Sequence, residues 1–593
     1  MENADIAKVF YEIADLLEIK GEDHFRIRSY RNAGLVIEGL SESLKNLYAQ
    51  GGEEGLTGIP GIGVSTRAKV IEMLTSNRCG YHDELLRELP AGMLDIIKVS
   101  GVGPKKAALL HKELGISSVD ALEKAAKEEK IRDLPGFGEL SEQKILRAIT
   151  EMKTIEQKFK LSVVLHYAES FRDYISKVPG IIEVVPAGSL RRWKETVGDL
   201  DILTTCADPV AVMDRFVSHP DVAKVLAKGD TKSTVVLRNG LQVDIRALEK
   251  KSFGAALQYF TGSKAHNVAL RDRAKRMGLK ISEYGVFKEN GDKWIAGVKE
   301  EDVYKAVGLP WIPPELRENR GEIEAAEEGR LPRMLRESDI KGDLHVHTKE
   351  SDGGYTLEEM AEAAMKRGYE YMSVTDHSKA VGIAHGLDEA RALKQIEAVD
   401  EFNARLKRKG EKFRVLKSTE VDIRSDGSLD HTERVLEMFD CVVASIHSGF
   451  SMTSDEMTAR MIKAIRTGRV NVIAHPTGRL INERAPYHVD VGKVMDEAKK
   501  YGVAMELNSY PDRLDLNDVH LRLARDKGVM VAISTDSHSI HHLQNITYGV
   551  HTARRGWIEK KDILNARPLK ELMKLIKREE KPAKAKKAGK RQE

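Results

Sequence analysis

Cysteine is scarce: Cys79, Cys206 and Cys441 are the three in 593 residues. So few, so far apart, exclude a disulfide framework and a thiolate zinc site. No run of about 18 apolar residues occurs, so no membrane-spanning helix and no membrane partner are expected. The opening MENADIAKVFYEIADLLEIK lacks the basic segment and apolar core of a secretory signal, and a cytoplasmic chain is expected. Neither sign of charge dominates. The 95 Lys and Arg against 92 Asp and Glu leave +3, so any grip on nucleic acid must come from local placement of charge. Aromatics make up only 6%, yet 41% hydrophobic and 32% charged residues describe a globular chain and not a disordered one. Its length is that of two to four ordinary domains.

What is abundant is histidine in one place. Thirteen of 19 histidines lie in 339–593, where an even spread would put about eight. A metal site in that stretch is the first thing to look for.

Residues 1–150 carry apolar positions at three- and four-residue spacing, such as Ile6, Val9, Phe10, Ile13, Leu16 and Leu17, and read as helical. From 160 to 310, short apolar runs such as DLDILTT and LQVDIRAL read as strands among helices. Residues 315–338 are charge-dense and read as a partly helical linker. Beyond them, DLHVHT, YMSVTDH, FRVLKSTEVDI, CVVASIH, VNVIAHP, GVAMELN and VMVAIST alternate with helical segments. That pattern predicts a parallel barrel or sheet with active groups at the strands' C-terminal ends. The last residues, 577–593, hold eight basic and three acidic side chains and read as a solvated tail.

A glycine pattern occurs three times before amphipathic runs: Pro-Gly-Ile-Gly ending at Gly63, Ser-Gly-Val-Gly-Pro-Lys-Lys at 100–106, and Leu-Pro-Gly-Phe-Gly at 134–138. Gly61, Gly63, Gly101 and Gly103 permit sharp turns that present helix N–H groups to a phosphate, and Lys105 adds charge. Such contacts hold a sugar–phosphate backbone without reading bases. Three ordinary glycine turns are the bland alternative. The repeated context resembles the helix-hairpin-helix element of DNA-repair proteins.

Gly188-Ser189-Leu190-Arg191-Arg192 precedes Gly198-Asp199-Leu200-Asp201. Asp199 and Asp201 are two apart on a predicted strand, so both project from one face. Paired carboxylates of this kind hold Mg²⁺ around a triphosphate for in-line transfer. Gly188 and Ser189 offer donors to phosphate oxygens and Arg192 offers charge. Asp244, in QVDIR, is the expected third carboxylate. With Tyr259-Phe260-Thr261-Gly262-Ser263, Asn267 and Arg271, the chain resembles family X DNA polymerases. That resemblance implies that Asp199 and Asp201 bind both metals and that Asp244 binds the catalytic metal and activates a primer 3′-OH. It places Tyr259 and Phe260 beside the sugar of an incoming dNTP, Asn267 at the base and Arg271 beside the template DNA. Gly198 and Gly262 complete the nucleotide site. Gln242 stands where relatives have arginine, and Lys264 where they have aspartate. The resemblance also places Lys69 at the Schiff-base lysine of a lyase domain that takes gapped or nicked DNA with a 5′-phosphate. Tyr30 and Arg31 match the same domain. A surface lysine on a DNA-binding helix is the equal alternative.

In the histidine-rich stretch, His345-Val346-His347, Asp352, His377, Glu420, His447, His475 and Asp536-Ser537-His538 fall at or near strand ends. Alternation puts both outer residues of HxH and DxH on one strand face. These nine groups suit two or three borderline ions, Mn²⁺ and/or Zn²⁺. The set resembles the PHP (polymerase and histidinol phosphatase) domain. The resemblance implies one ion at His345, His347, Glu420 and Asp536. A second would use Glu420 with His447 and His475, and a third Asp352, His377 and His538.

Together the resemblances match bacterial and archaeal family X polymerases with a C-terminal PHP domain. The expected fold is multidomain: α-helical helix-hairpin-helix domains, an α+β nucleotidyltransferase palm and a distorted (βα)7 barrel. The expected boundaries are 1–80 lyase-like, 81–150 helix-hairpin-helix, 151–232 palm, and 233–314 palm completion with a nascent-base-pair domain. They continue as 315–338 linker, 339–576 PHP and 577–593 tail. The expected activity is gap-filling repair synthesis by a monomer, with 3′–5′ exonuclease, AP endonuclease or 3′-phosphatase activity at the second site. The alternatives are fusion to a small-molecule phosphatase and a DNA end-binding scaffold with weak catalysis.

Overall fold

The computed structural model describes residues 1–577 except 2, 39, 41–43, 58, 60, 91, 98, 100, 156–157 and 290–292. Of the basic tail, 578–593 lies outside the described residues. The chain divides into two units, 1–331 and 332–593.

In the first unit, helices Asn3–Lys20 and His24–Glu38 bury the expected apolar stripe: Ile6, Phe10, Ile13, Leu16 and Leu17 are inaccessible. The three glycine turns share one geometry. Gly61, Gly101 and Gly136 have φ of +85°, +91° and +80°, a region that glycine enters without strain. A tight hydrogen bond closes each turn: Ile62 N to Ile59 O, Val102 N to Val99 O, and Phe137 N to Leu134 O, at 2.9–3.1 Å. Gly63 and Gly103 then sit extended as N-caps of Val64–Ser76 and Pro104–Leu114. The third turn leads in the same way into Glu139–Ile155.

A five-stranded sheet follows, ordered Ile181–Pro186, Asp199–Cys206, Gln242–Ala247, Lys232–Leu237 and Val222–Lys228. Its second and third strands run parallel, with Asp201 opposite Asp244. Leu200, Ile202, Val243 and Ile245 fill the covered face, so alternation delivers the carboxylates to the open one. Helices Phe253–Thr261 and Lys264–Arg276 continue the unit, and Ser263 caps the second by accepting from His266 N at 3.2 Å.

The stretch 315–338 contains the short helix Glu322–Glu327, and its charges from Glu324 onward are mostly exposed, but two earlier ones are not. Arg317 and Glu322 are fully buried. Arg317 pairs with Glu300 at 2.6 Å, and Glu322 with His266 at 2.6 Å.

The second unit is a parallel sheet of seven strands in sequence order: Gly342–Val346, Tyr371–Val374, Arg414–Asp422, Cys441–Ser445, Val472–Ile473, Ala504–Asn508 and Val531–Ser534. The seven apolar runs are these strands. His347 N donates to Ser537 O at 2.8 Å, and Val346 bridges Ser537, bringing first and last strands together into a nearly closed barrel. All seven strands are buried on both faces, as a parallel barrel sheathed by helices requires. One apolar cluster joins them to the surrounding helices. Another joins Leu344, Leu416, Val443, Val472 and Ala532 to the last helix, Leu569–Ile576.

Candidate active sites

On the palm sheet, Asp199, Asp201 and Asp244 meet as expected. Thr234 Oγ1 donates to Asp244 Oδ1 at 2.5 Å, and Gln242 Nε2 to its other oxygen at 2.7 Å. Burial, then the charges of Asp199 and Asp244, push the Asp201 carboxyl up to about 7. Burial and Asp244 also raise Asp199. Three crowded carboxylates, with no lysine or arginine bound to them among the described residues, are a donor set suited to hard divalent cations. When bound, such ions would supply charge neutralisation and alignment for in-line phosphoryl transfer. Gly188, at φ +62°, opens the turn Gly188–Arg191. A Cβ there would stand 2.7 Å from Asp201 Oδ2. Ser189 is half-buried in the same turn, and Gly198 directly precedes the strand bearing Asp199.

Other expected nucleotide contacts are engaged within the protein. Arg192 donates to Glu318 at 3.0 Å and to Thr261 O at 2.6 Å. Arg191 makes a two-pronged pair with Glu300 at 2.7 and 2.9 Å and reaches Thr261 Oγ1. Glu300 also accepts from Arg317 and from Trp311 Nε1. Burial opposes ionisation of Glu300, but the two guanidiniums prevail and hold it near 2. Asn267 donates to Tyr259 O and accepts from Gln258, both at 2.7 Å. Tyr259 and Phe260 pack edge to face, with Arg246 over the Phe260 ring. Gly262, at φ +69°, leaves room for Arg192. Arg271 is exposed, with its Nε on Asn267 O.

Lys69 is half-buried on helix Val64–Ser76. Its ammonium lies 4.9 Å above the Tyr81 ring, 5.6 Å from Tyr30 and 3.2 Å from Ser65 Oγ. Arg31 pairs with Asp15 and Glu18. A cavity beside Gly101, Gly103 and Lys105 opens at the second glycine turn.

In the barrel the nine expected groups converge. Three sets have ligand atoms within 4.8 Å of one another: His347, Asp352, His377 and His538; His345, His347 and Asp536; and His377, Glu420 and His447. His347 and His377 therefore each reach two sets, a tighter arrangement than the grouping expected from sequence. His475 Nε2 lies 3.0 Å from Glu420 Oε1. Two ligands about 2.1 Å from one tetrahedral ion stand about 3.4 Å apart. Four separations match: His345 Nε2 to Glu420 Oε2 is 3.4 Å, His347 Nε2 to Asp536 Oδ1 3.3 Å, His538 Nε2 to Asp352 Oδ2 3.3 Å, and His447 Nε2 to Glu420 Oε1 3.4 Å. Others in the cluster run from 2.7 to 3.7 Å. Both nitrogens of His347, Nε2 of His345 and Oε2 of Glu420 are buried without hydrogen bonds. Buried polar atoms are rarely left so unless an ion satisfies them. Bound there, ions would activate water and stabilise the leaving oxygen of a phosphoester.

Electrostatics balance the cluster. Burial holds His347 down to about 3, the neutral state that ligation needs. His377 rises to about 10, because Glu420 and Asp352 outweigh its burial.

Sequence reasoning missed the layer beneath. Glu506 on the sixth strand, fully buried, accepts from His345 Nδ1 at 2.7 Å and from His475 N at 2.6 Å. Asp422 lies 3.2 Å from His447 Nδ1. Asp376 accepts from Thr348 N and Oγ1 and from Ser351 Oγ, fixing the loop that carries Asp352. The available signal was a lone carboxylate inside an apolar strand, which needs a buried partner.

Glycine hairpins, a three-carboxylate palm and a histidine barrel define a two-centre phosphoryl-transfer enzyme built to hold nucleic acid. Residues 256–318 match the DNA polymerase beta thumb and 343–510 the PHP domain. Residues 1–79 match a helix-hairpin-helix domain and 93–151 a SAM-like helix-hairpin-helix tandem. Over 580 residues, 98% of this chain and all of its relative, the sequence is 38% identical to the DNA polymerase/3′-5′ exonuclease PolX of Bacillus subtilis (strain 168). A third of the chain is 31% identical to a probable phosphatase of Thermoanaerobacter sp. (strain X514), covering 78% of that protein. Another third-length match, 28% identical, is to a probable phosphatase of Caldanaerobacter subterraneus, covering 75% of it. The chain belongs to the family X DNA polymerases that carry a C-terminal PHP domain.

Proposed function

We propose that this protein fills short gaps in DNA during repair and resects 3′ ends at a second, separate centre. The observation that carries the reading is the presence in one chain of an intact carboxylate triad and an intact nine-group cluster. The full-length relationship to a polymerase/exonuclease supports it.

In the palm, Asp199, Asp201 and Asp244 hold Mg²⁺, and Asp244 receives the primer hydroxyl proton. Gly188 and Ser189 cradle the triphosphate, and Tyr259 and Phe260 flank the sugar. Arg192 serves the phosphates once they compete with Glu318. In the barrel, the nine groups would hold two or three Mn²⁺ or Zn²⁺ ions, which would supply activated water for cleavage of a 3′-terminal phosphodiester. The hairpins at Gly61–Gly63 and Gly101–Gly103, with Lys105 and Arg271, grip the DNA backbone. The Lys69 amine, set beside the first hairpin, condenses with the C1′ aldehyde of an abasic sugar, losing water. Loss of a C2′ proton then breaks the C3′–O bond, leaving a 5′-phosphate on the downstream strand, and hydrolysis of the imine releases the sugar phosphate and restores the amine. The protein acts in the cytoplasm as a monomer.

The test uses a 5′-labelled primer in a one-nucleotide gap with Mn²⁺, with and without dNTPs. Extension with dNTPs and shortening without them are expected. Asp201→Asn should abolish only the first and His345→Ala only the second. A second reading, small-molecule phosphatase activity in the barrel, draws on the phosphatase relatives. Hydrolysis of small phosphomonoesters with DNA left intact would establish that reading instead.

A further inference from the structure

The PHP unit has a cavity of about 720 Å³ at the end of the barrel where the strands begin. Lys341 in its wall directly precedes the first strand, whereas His345 and His347 lie at that strand's far end. At about 3.3 Å per residue the cavity is roughly 15 Å from the histidine cluster and separate from it. Its volume lies within the range of small-molecule sites.

The charges around it do not cancel. Asp339 pairs with Lys560 at 3.1 Å and Glu559 with Lys561 at 2.6 Å. That leaves Arg333, Lys341 and Arg567, whose side chains meet no carboxylate among the described residues, against Glu571 alone. The local excess is two positive charges. Arg567 donates from one terminal nitrogen to Lys561 O at 2.8 Å, while its Nε–H is buried with no acceptor among the described residues. A buried unsatisfied donor is costly and calls for an acceptor. Met334 and Pro568 add apolar wall.

We propose that this cavity binds a phosphoryl group carried by a nucleotide. A dianionic phosphate matches the excess of two charges, which a single carboxylate does not. Phosphate oxygens accept from guanidinium and ammonium together, and the apolar wall faces the attached sugar or base. A free nucleotide brings both charges on one phosphomonoester; a DNA strand brings them on two neighbouring phosphodiesters, each a monoanion.

Calorimetric titration of the full chain in EDTA, which silences both metal centres, tests the assignment. The probes are inorganic pyrophosphate, dTMP and a short oligothymidine. The variants are Lys341→Ala and Glu571→Gln, two side chains whose charged ends have no partner among the described residues, with melting temperature checked alongside. Lys341→Ala should weaken binding about tenfold, as loss of one charged contact does, and Glu571→Gln should tighten it. Changes with dTMP and pyrophosphate identify a free-nucleotide site. Changes confined to the oligonucleotide identify a backbone site. Unaltered affinity for all three probes in both variants, or no saturable binding by the parent chain, overturns the proposal.

Discussion

Replacing Glu506 by glutamine isolates one contact beneath the histidine cluster. One carboxylate oxygen accepts from His345 Nδ1 at 2.7 Å. The other accepts from His475 N at 2.6 Å and from Asn508 Nδ2 at 3.3 Å. A carboxylate satisfies all three donors; an amide has one acceptor and one donor end. Two donors outvote one, so the carbonyl of the substituted amide should turn to His475 and Asn508 and its NH₂ to His345. His345 Nδ1 must then accept, which puts the ring proton on Nε2, the atom that faces Glu420 and Asp536. That tautomer cannot ligate. Loss of such an outer partner typically costs 10–100-fold in metal affinity, about 1.4–2.7 kcal/mol. Dialysis against graded chelator, followed by elemental analysis, should show one ion per chain released 10–100-fold more readily, with gap filling unchanged. An unaltered release curve would refute the argument that Glu506 sets the His345 tautomer.

Four further outcomes follow from the geometry. Gly188→Ala should cripple primer extension while sparing resection, because its Cβ would meet Asp201 Oδ2 at 2.7 Å in a left-handed turn; paired extension and resection assays check this. Glu300 is held near 2, below its ordinary 4.5, so its pairs stabilise the fold above about pH 4.5 and fade as pH falls towards 2; Glu300→Gln should cost about 3 kcal/mol near neutrality and much less at pH 3, by denaturant melts of the first unit's transition. Lys69→Ala should eliminate borohydride trapping of an abasic substrate while leaving extension within a few fold, and undiminished trapping would move the lyase amine elsewhere. A zinc- and manganese-selective chelator should stop resection with extension intact in excess Mg²⁺, measured on one labelled primer; equal loss of both would refute separate ligand chemistries.

Period-two alternation made both centres legible in the sequence. Asp199 with Asp201, and His345 with His347, could face only one way once their strands were recognised, and the structure brings each pair together. The partners of those groups were hidden by distance. Glu318 meets Arg192 across 126 residues, and Glu506 meets His345 across 161. Neither belongs to a local pattern. Residues 315–338 were unreadable for a related reason. A dense run of charge is usually solvated, but here Arg317 and Glu322 are fully buried. Their compensating groups, Glu300 and His266, stand 17 and 56 residues earlier. Single-sequence reading sees charge density, not pairing.

The two centres handle buried negative charge in opposite ways, and that difference bears on which ions they hold. The palm crowds three carboxylates with no imidazole among them, so Asp201 is driven towards neutrality by burial and by its neighbours. A divalent cation relieves that repulsion, and an all-oxygen set suits hard ions. The barrel interleaves carboxylates with imidazoles, so Glu420 is held far below its ordinary range because His377, His447 and His345 together overcome its burial. The cluster's charges offset one another, while its buried unbonded nitrogens and Glu420 Oε2 still call for ions. Its nitrogen donors favour softer ions than Mg²⁺. Two centres of different ligand chemistry, all-carboxylate and mixed imidazole–carboxylate, thus stand in a single chain.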